Sequence, residues 1–171
     1  MADRVARAAA DRVYVKADRD MTALEDIYSE RILELAANST RGQRLVNPDA
    51  TATAHSKLCG STVTLDIKMS GDRITDYGQQ VRACLLGQSS AAVVAAHAVG
   101  STAAEIHEVA RQMRAMLKEN GAPPAGKWRN LAALEPVRDV KGRHASTLLV
   151  FDALERAIGE IEAKQVLAAA G

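Results

Sequence analysis

The clearest pattern along the chain is a strict alternation over TVTLDIKM, residues 62–69. Val63, Leu65, Ile67 and Met69 point one way, and Thr62, Thr64, Asp66 and Lys68 the other. A period of two with one apolar face predicts a half-buried antiparallel strand. SGD then supplies a hairpin turn, and RITDYGQQVRA returns as a second, less regular strand with Gly78 as a candidate bulge. Elsewhere the period is helical. Residues 22–38 place Leu24, Tyr28, Ile32 and Leu35 on one face, with Thr22 and Glu25 spaced as a capping box. Residues 45–58 show no comparable pattern and read as irregular or extended, broken at Pro48. LLGQSSAAVVAAHAVG is small and apolar and predicts a helix that Gly100 can close. Ser101 or Thr102 caps the next helix, whose apolar face is Ile106, Val109, Met113 and Leu117, and Gly121 ends it. APPAGKW reads as a loop, and RNLAALEPVRDVKGR as a short helix followed by an extended segment. From about Ser146, as N-cap, a last helix aligns Phe151, Leu154, Ile158 and Ile161. A helix, a small antiparallel sheet and then helices make an α+β fold, with helices covering one sheet face.

Composition narrows the possible functions. The chain's 171 residues suffice for one domain with its own core. Aromatic residues are only 3%, so the core is aliphatic, and a nucleic-acid surface built on stacked rings is not expected. Lys plus Arg number 22 against 21 Asp plus Glu, without a basic stripe, so neither nucleic acid nor an anionic membrane is implied as a partner. No apolar run is long enough to span a bilayer, and no secretory signal is visible, so a cytoplasmic location is expected. Residues 1–20 carry five basic and four acidic groups with little apolar periodicity. They read as a flexible extension, with Met21 a possible natural start and residues 21–171 as a single domain.

The candidate chemistry lies in the two cysteines. In a cytosolic protein these are expected to be thiols. Cys59 ends an extended segment and precedes Gly60; Cys84 opens a helix, where unpaired N–H groups favour a thiolate. Cys59 lies twelve residues before Gly71 and Cys84 thirteen after it, so a hairpin turning there brings both thiols to one end. Free cysteines are also common as buried small residues. His55 is four residues before Cys59, and in a strand that parity would share a face. His97 and His107 fall on helices and read as surface or internally satisfied residues.

The same segments resemble the U-type iron–sulfur cluster assembly scaffold family (IscU, SufU and the N-terminal domain of NifU). MTALEDIYSERILELAAN is similar to the family's opening helix, LCGSTVTLDIKM to its C-G-D-x-V-x-L strand, and ACLLGQSSAAVVA to its G-C-A-I-S-x-A-S-A-S segment. GSTAAEIHEVARQM is similar to the helix that follows. LEPVRDVKGRHASTLLVFDALERAI aligns without a gap to L-x-x-V-R-x-F-P-x-R-V-K-C-A-T-L-x-W-x-A-L. The longer spacing before this last segment resembles the SufU branch. The resemblance implies an IscU/NifU-like sandwich and a protein that carries and transfers rather than an enzyme. Its cargo would be a transient iron–sulfur cluster, its partners a cysteine desulfurase and apo iron–sulfur proteins or carriers.

By position, the family's three Cys and one Asp fall on Cys59, Cys84, Ser146 and Ser61, so only two thiolates are retained. Two thiolates do not hold a [2Fe–2S] cluster, which takes four ligands, and serine is a poor ligand for soft metals. Imidazole can replace thiolate on iron or zinc, so Cys59, Cys84 and His144 form the expected metal site, with Cys84 the principal thiolate. The alternatives are a zinc-binding sulfur-transfer partner of the desulfurase and a degenerate paralogue acting as a regulatory or binding module. LEPVR, 134–138, resembles the chaperone-recognised loop of the IscU branch with its first Pro replaced. Arg138, Lys141 and Arg143 make a small basic cluster beside the proposed site. GQSSA, 87–91, imitates a nucleophile elbow, but its Gly falls inside a helix and no parallel βαβ unit exists to hold it. A Cys84–His144 protease lacks an orienting Asn and an oxyanion segment.

Overall fold

The computed structural model describes residues 29–39 and 43–171. The expected extension at 1–20, the start at Met21 and the Thr22–Glu25 capping box lie outside them. The first described helix, α1, is Glu30–Ala37, capped by Ser29, whose hydroxyl accepts from the Ile32 amide. Ile32 and Leu35 face the core as expected.

Three antiparallel strands follow, β1 (Ala50–His55), β2 (Thr62–Ser70) and β3 (Arg73–Arg82), in the order β1-β2-β3. The alternation of β2 is realised: Val63, Leu65 and Ile67 are fully buried on the face the helices cover. The turn is the expected one, with Ser70 opposite Arg73 and Gly71 at φ +61°. Within 45–58, read as irregular or extended, Ala50–His55 is a regular strand. ATATAH alternates Ala inward with Thr outward, Ala50 and Ala54 being buried, and small residues let the last helix lie close on this strand. Gly78 is not a bulge. It pairs with Asp66 in register, and the irregularity falls between Lys68 and Met69. Glycine is required at 78 for another reason: a Cβ there would stand 2.4 Å from the Gln43 carbonyl oxygen.

That close approach belongs to a segment crossing the outer face of the sheet. Asp66, expected on the solvent face, is fully buried beneath it. Its carboxylate accepts from Arg44 at 2.5 and 2.9 Å, from the Leu45 amide at 3.0 Å and from Thr51 Oγ1 at 2.5 Å. Burial pushes this carboxyl up, but the bonds from Arg44, Thr51 and Leu45 outweigh it and hold it below the usual carboxylate range.

Helices α2 (Leu85–His97), α3 (Ala103–Lys118) and α4 (His144–Ala169) complete the body. Thr102 and Glu105 form a full capping box on α3. Between α3 and α4 runs a series of 3₁₀ turns, Gly126–Asp139, in place of the expected short helix and extended segment. Pro136 within it lacks the amide that a longer helix would use. α4 begins at His144, two residues before the expected cap at Ser146. Phe151, Leu154, Ile158 and Ile161 join one cluster with the sheet, α1, α2 and α3. The fold is the expected α+β sandwich.

Candidate functional site

β1 and β2 are joined by a six-residue loop, Ser56–Ser61, which the structure closes with its own backbone bonds. The Ser56 amide donates to the Ser61 carbonyl at 2.8 Å and the Gly60 amide to the Ser56 carbonyl at 2.9 Å. Gly60 takes φ +71°, a conformation that costs a side chain energy, so the Gly after Cys59 is a turn requirement. Cys59 therefore sits on an exposed loop rather than ending an extended segment, and Leu58 beside it is 79% exposed. The turn also removes the strand parity between His55 and Cys59. His55 pairs with Thr62 and its Nδ1 lies 3.0 Å from Thr62 Oγ1.

Cys84 comes from the far end of the same hairpin. β3 ends at Arg82 opposite Thr62, and Cys84 is the N-cap of α2, half-buried, with no side-chain capping bond. Both thiol-bearing residues thus reach one end of the sheet, as the register argument expects. They meet on serine hydroxyls. Ser61 Oγ is 3.0 Å from Cys59 Sγ and accepts the Cys84 amide at 3.4 Å. Cys59 Sγ also lies 3.4 Å from Ser56 Oγ. Cys84 Sγ donates to Ser146 Oγ at 3.4 Å, and Ser146 in turn donates to the Arg143 carbonyl at 3.1 Å. Ser61 and Ser146, the positions where the family pattern has Asp and Cys, are therefore buried beside the two thiols.

A hydroxyl has one hydrogen. Ser61 accepts from Cys84, which leaves its hydrogen for Cys59. The Ser56 hydroxyl, the Ser61 hydroxyl and amide, and the positive charge of Arg143 together outweigh slight burial and lower the Cys59 thiol to about 7. The hydroxyls of Ser56 and Ser61 surround Cys59, whereas the sequence reading puts Cys84 first among the thiolates.

The approach of α2 to α4 depends on Gly87. A Cβ at 87 would stand 2.7 Å from Ala83 Cβ and 3.0 Å from the Ser146 carbonyl oxygen. The two helix starts, carrying Cys84 and Ser146, can close on each other only without it. The serines of GQSSA are structural: Ser89 donates to the Ile32 and Leu85 carbonyls, and Ser90 to the Thr147 carbonyl at 2.8 Å.

His144 is buried at the start of α4, with Nε2 3.1 Å from both the Val137 and Arg138 carbonyl oxygens. That nitrogen faces only acceptors and carries the hydrogen. Among the described residues no three His, Cys, Asp or Glu side chains stand close enough to hold a metal ion. The structure thus brings Cys59 and Cys84 together with two hydroxyls and does not gather His144 with them into a three-ligand group. Of the other histidines, His97 edge-stacks on Trp128 with centroids 5.7 Å apart, and His107 pairs with Glu155 at 3.0 Å. The expected basic cluster is divided, since Arg138 is tied to Glu135 at 2.7 Å and to the Gly121 carbonyl. Sequence reasoning missed Ser56 and Gly87. A serine three before and another two after a cysteine in a Gly-containing stretch was the available signal for the first.

Comparison with known proteins gives a consistent picture. No family model matches the chain. The iron–sulfur cluster assembly scaffold protein IscU of Thermotoga maritima is 25% identical over 137 residues, 79% of this chain and 94% of that protein. The crystal structure of a nitrogen-fixing NifU-like protein (N-terminal) from Brucella abortus is 51% identical with a TM-score of 0.81, covering 83% of this chain and 99% of that one. A SUF-system scaffold candidate, SufU of Fervidobacterium islandicum, shares the fold with a TM-score of 0.71 at 23% identity over 77% of this chain and 96% of its own.

Proposed function

Because the chain belongs to the U-type family of iron–sulfur cluster assembly scaffolds, represented by NifU-like and IscU proteins, we propose that it accepts sulfur and iron on Cys59 and Cys84 and passes on the assembled cluster. The observation that carries this reading is Cys59 itself: an exposed thiol held to about 7 by the Ser56 and Ser61 hydroxyls, beside a second thiol at a helix start. A thiol with a pKa near ambient pH combines thiolate content with nucleophilicity, which suits attack on a sulfur atom.

In the first step the Cys59 thiolate attacks the terminal sulfur of a persulfide carried by a cysteine desulfurase. A new S–S bond forms on Cys59, and the desulfurase thiolate leaves. Cys84, tied to the same Ser61 hydroxyl, is the second soft donor for the iron that follows. Both steps carry and transfer; neither regenerates a turned-over substrate, so the protein is not an enzyme in this reading. Residues 21–171 make up the scaffold domain, preceded by 1–20. The partners are the desulfurase and apo iron–sulfur proteins or carriers, met in the cytoplasm. No helix among the described residues is long and apolar enough to cross a membrane.

The test is anaerobic incubation of the full chain with a cysteine desulfurase and radiolabelled cysteine, followed by non-reducing separation and iron and sulfide analysis. Label on wild type and Cys84→Ser but not on Cys59→Ser is expected, as is sulfur-to-iron absorption in wild type. Absence of label from all three, or stoichiometric zinc that no iron displaces, overturns the reading.

A further inference from the structure

Among the described residues, every side chain hydrogen-bonded to either thiol is a serine. Ser61 Oγ stands 3.0 Å and Ser56 Oγ 3.4 Å from Cys59 Sγ, and Ser146 Oγ stands 3.4 Å from Cys84 Sγ. Ser56 and Ser61 are 4% exposed and Ser146 1%, so these hydroxyls are withdrawn from water. Each serine is also fixed by a further bond. Ser61 Oγ accepts the Cys84 amide, Ser146 Oγ donates to the Arg143 carbonyl, and the Ser56 amide and carbonyl close the β1–β2 loop.

That donor set does not fit a resident metal ion. A bare divalent zinc ion takes four donors, thiolate or imidazole for preference. The chain has two thiols, and hydroxyls are poor ligands for soft metals. His144 Nε2 is committed to the Val137 and Arg138 carbonyl oxygens. Among the described residues no three His, Cys, Asp or Glu side chains stand close enough to hold an ion. Resting on the scaffold reading, we propose that Ser56, Ser61 and Ser146 are positioning residues that hold the resting thiols for sulfur acceptance without a metal ion, so that sulfur enters this site before any metal does.

The placement of hydrogens suits this role. A hydroxyl has one hydrogen, and Ser61, accepting from Cys84, turns its own toward Cys59. A thiolate at 59 therefore keeps a donor where a metal would otherwise supply a cation. A thiolate bound to metal has a lone pair engaged and must leave the ion before it attacks. One held by hydroxyls attacks directly, exchanging hydrogen bonds rather than breaking a coordinate bond. Ser146 holds the second thiol at the start of α2, at a spacing that Gly87 permits. The order of loading follows from the same count of donors. Bare iron meets two soft donors. Once the Cys59 thiolate has taken the outer sulfur of the desulfurase persulfide and the desulfurase thiolate has left, the site carries a further soft sulfur for iron.

The experiment takes the full chain, reduced and stripped with a chelator, and dialyses it anaerobically against equimolar zinc chloride. Zinc content is measured, as is the rate of sulfur transfer from radiolabelled cysteine through a cysteine desulfurase, with and without chelator. Wild type is expected to retain far less than one zinc per chain and to accept sulfur at the same rate in both conditions. Ser61→Asp combined with Ser146→Cys adds a carboxylate and a third thiol; it is expected to retain one zinc per chain and to accept sulfur more slowly when zinc is present. Ser56→Ala combined with Ser61→Ala is expected to lower the saturating transfer rate by at least roughly tenfold, the worth of hydrogen bonds to a charged sulfur, with the half-saturating desulfurase concentration unchanged. If that variant unfolds, the wild-type zinc and chelator results decide. One zinc per wild-type chain that survives dialysis, sulfur acceptance lost on chelation and restored by zinc, or a folded alanine variant that transfers at the wild-type rate overturns the proposal and leaves the scaffold reading standing. No label on any chain in any condition sinks the scaffold reading and this proposal with it.

Discussion

Ser61 Oγ stands 3.0 Å from Cys59 Sγ and 3.4 Å from the Cys84 amide nitrogen, so one buried hydroxyl ties together residues 25 positions apart. The hydroxyl occupies the position where the family pattern has a carboxylate. A carboxylate there would bring a negative charge toward Cys59 and a hard oxygen ligand toward iron. A hydroxyl instead donates to the thiolate and holds the loop to the helix start. In this geometry Ser61 positions the Cys59 loop against the start of α2.

Alkylation of Cys59 should follow that geometry. In a Cys84→Ser background, the iodoacetamide rate should rise with pH through about 7 and level off above it, because only the thiolate reacts. Ser61→Ala removes one of the bonds favouring the thiolate and should move the midpoint upward. The rate at pH 7 should then fall roughly several-fold while the plateau at high pH is unchanged. A midpoint that stays in place would remove Ser61 from this role.

Gly87→Ala tests whether the approach of the two helix starts matters for loading. The added Cβ meets Ala83 Cβ and the Ser146 carbonyl, so α2 must move away from α4 or tilt. Overpacking of this kind costs about 1–3 kcal/mol. Bound iron and sulfide after reconstitution should drop, since Cys84 moves with the helix start. Ala92→Gly on the same helix serves as a control for helix stability alone. Equal iron content in Gly87→Ala and wild type would show that the spacing of Cys84 from Ser146 is not needed.

Asp66→Asn addresses the buried carboxylate under the crossing segment. Its folded-state pKa lies below the unfolded value, so its stabilisation is complete above the unfolded pKa and is lost as pH falls through the folded one. At pH 7 the variant should be less stable by about 1–3 kcal/mol, because charge-assisted bonds to Arg44, the Leu45 amide and Thr51 are weakened. Below the usual carboxylate range the gap between variant and wild type should close. Denaturant unfolding at pH 7 and pH 3 measures both. A gap that stays constant with pH would mean that the charge of Asp66 contributes nothing.

How much of this was legible in the sequence depended on whether the partner was local. Val63, Leu65 and Ile67 announced β2 because their alternation is large in contrast, and Thr102 with Glu105 lies within one turn. The six residues of β1 alternate just as strictly, but Ala against Thr differs little in apolarity, and Ala has a weak strand preference. Gly78 looked like a bulge because its actual reason, the backbone at Gln43 and Leu45 crossing above it, is distant in the chain. Asp66 was assigned to solvent for the same reason. Ser146 looked like a cap, but the helix begins two residues earlier and its hydroxyl turns back to Arg143. Both cysteines were found, and their convergence followed from counting across the turn. The serines were seen as poor ligands rather than as the groups that hold each cysteine, Ser61 joining the Cys59 thiol to the Cys84 amide and Ser146 bonding the Cys84 thiol.

His144 remains the residue for which position and chemistry point in different directions. Its place near the start of α4 suits a ligand, whereas its Nε2 is committed to the Val137 and Arg138 carbonyls and secures the end of the 3₁₀ run. His144→Ala removes that donor and leaves two carbonyls without it, at a cost of about 1–3 kcal/mol. His144→Gln restores an N–H donor on a side chain of similar reach but is a poor ligand for soft metals. Thermal unfolding of the empty chains should therefore order as wild type, then Gln, then Ala. Iron content should be retained in the Gln variant if Cys59 and Cys84 carry the cargo. Native stability with iron lost in His144→Gln would instead make His144 the third ligand, and would require its ring to turn away from the two carbonyls when metal binds.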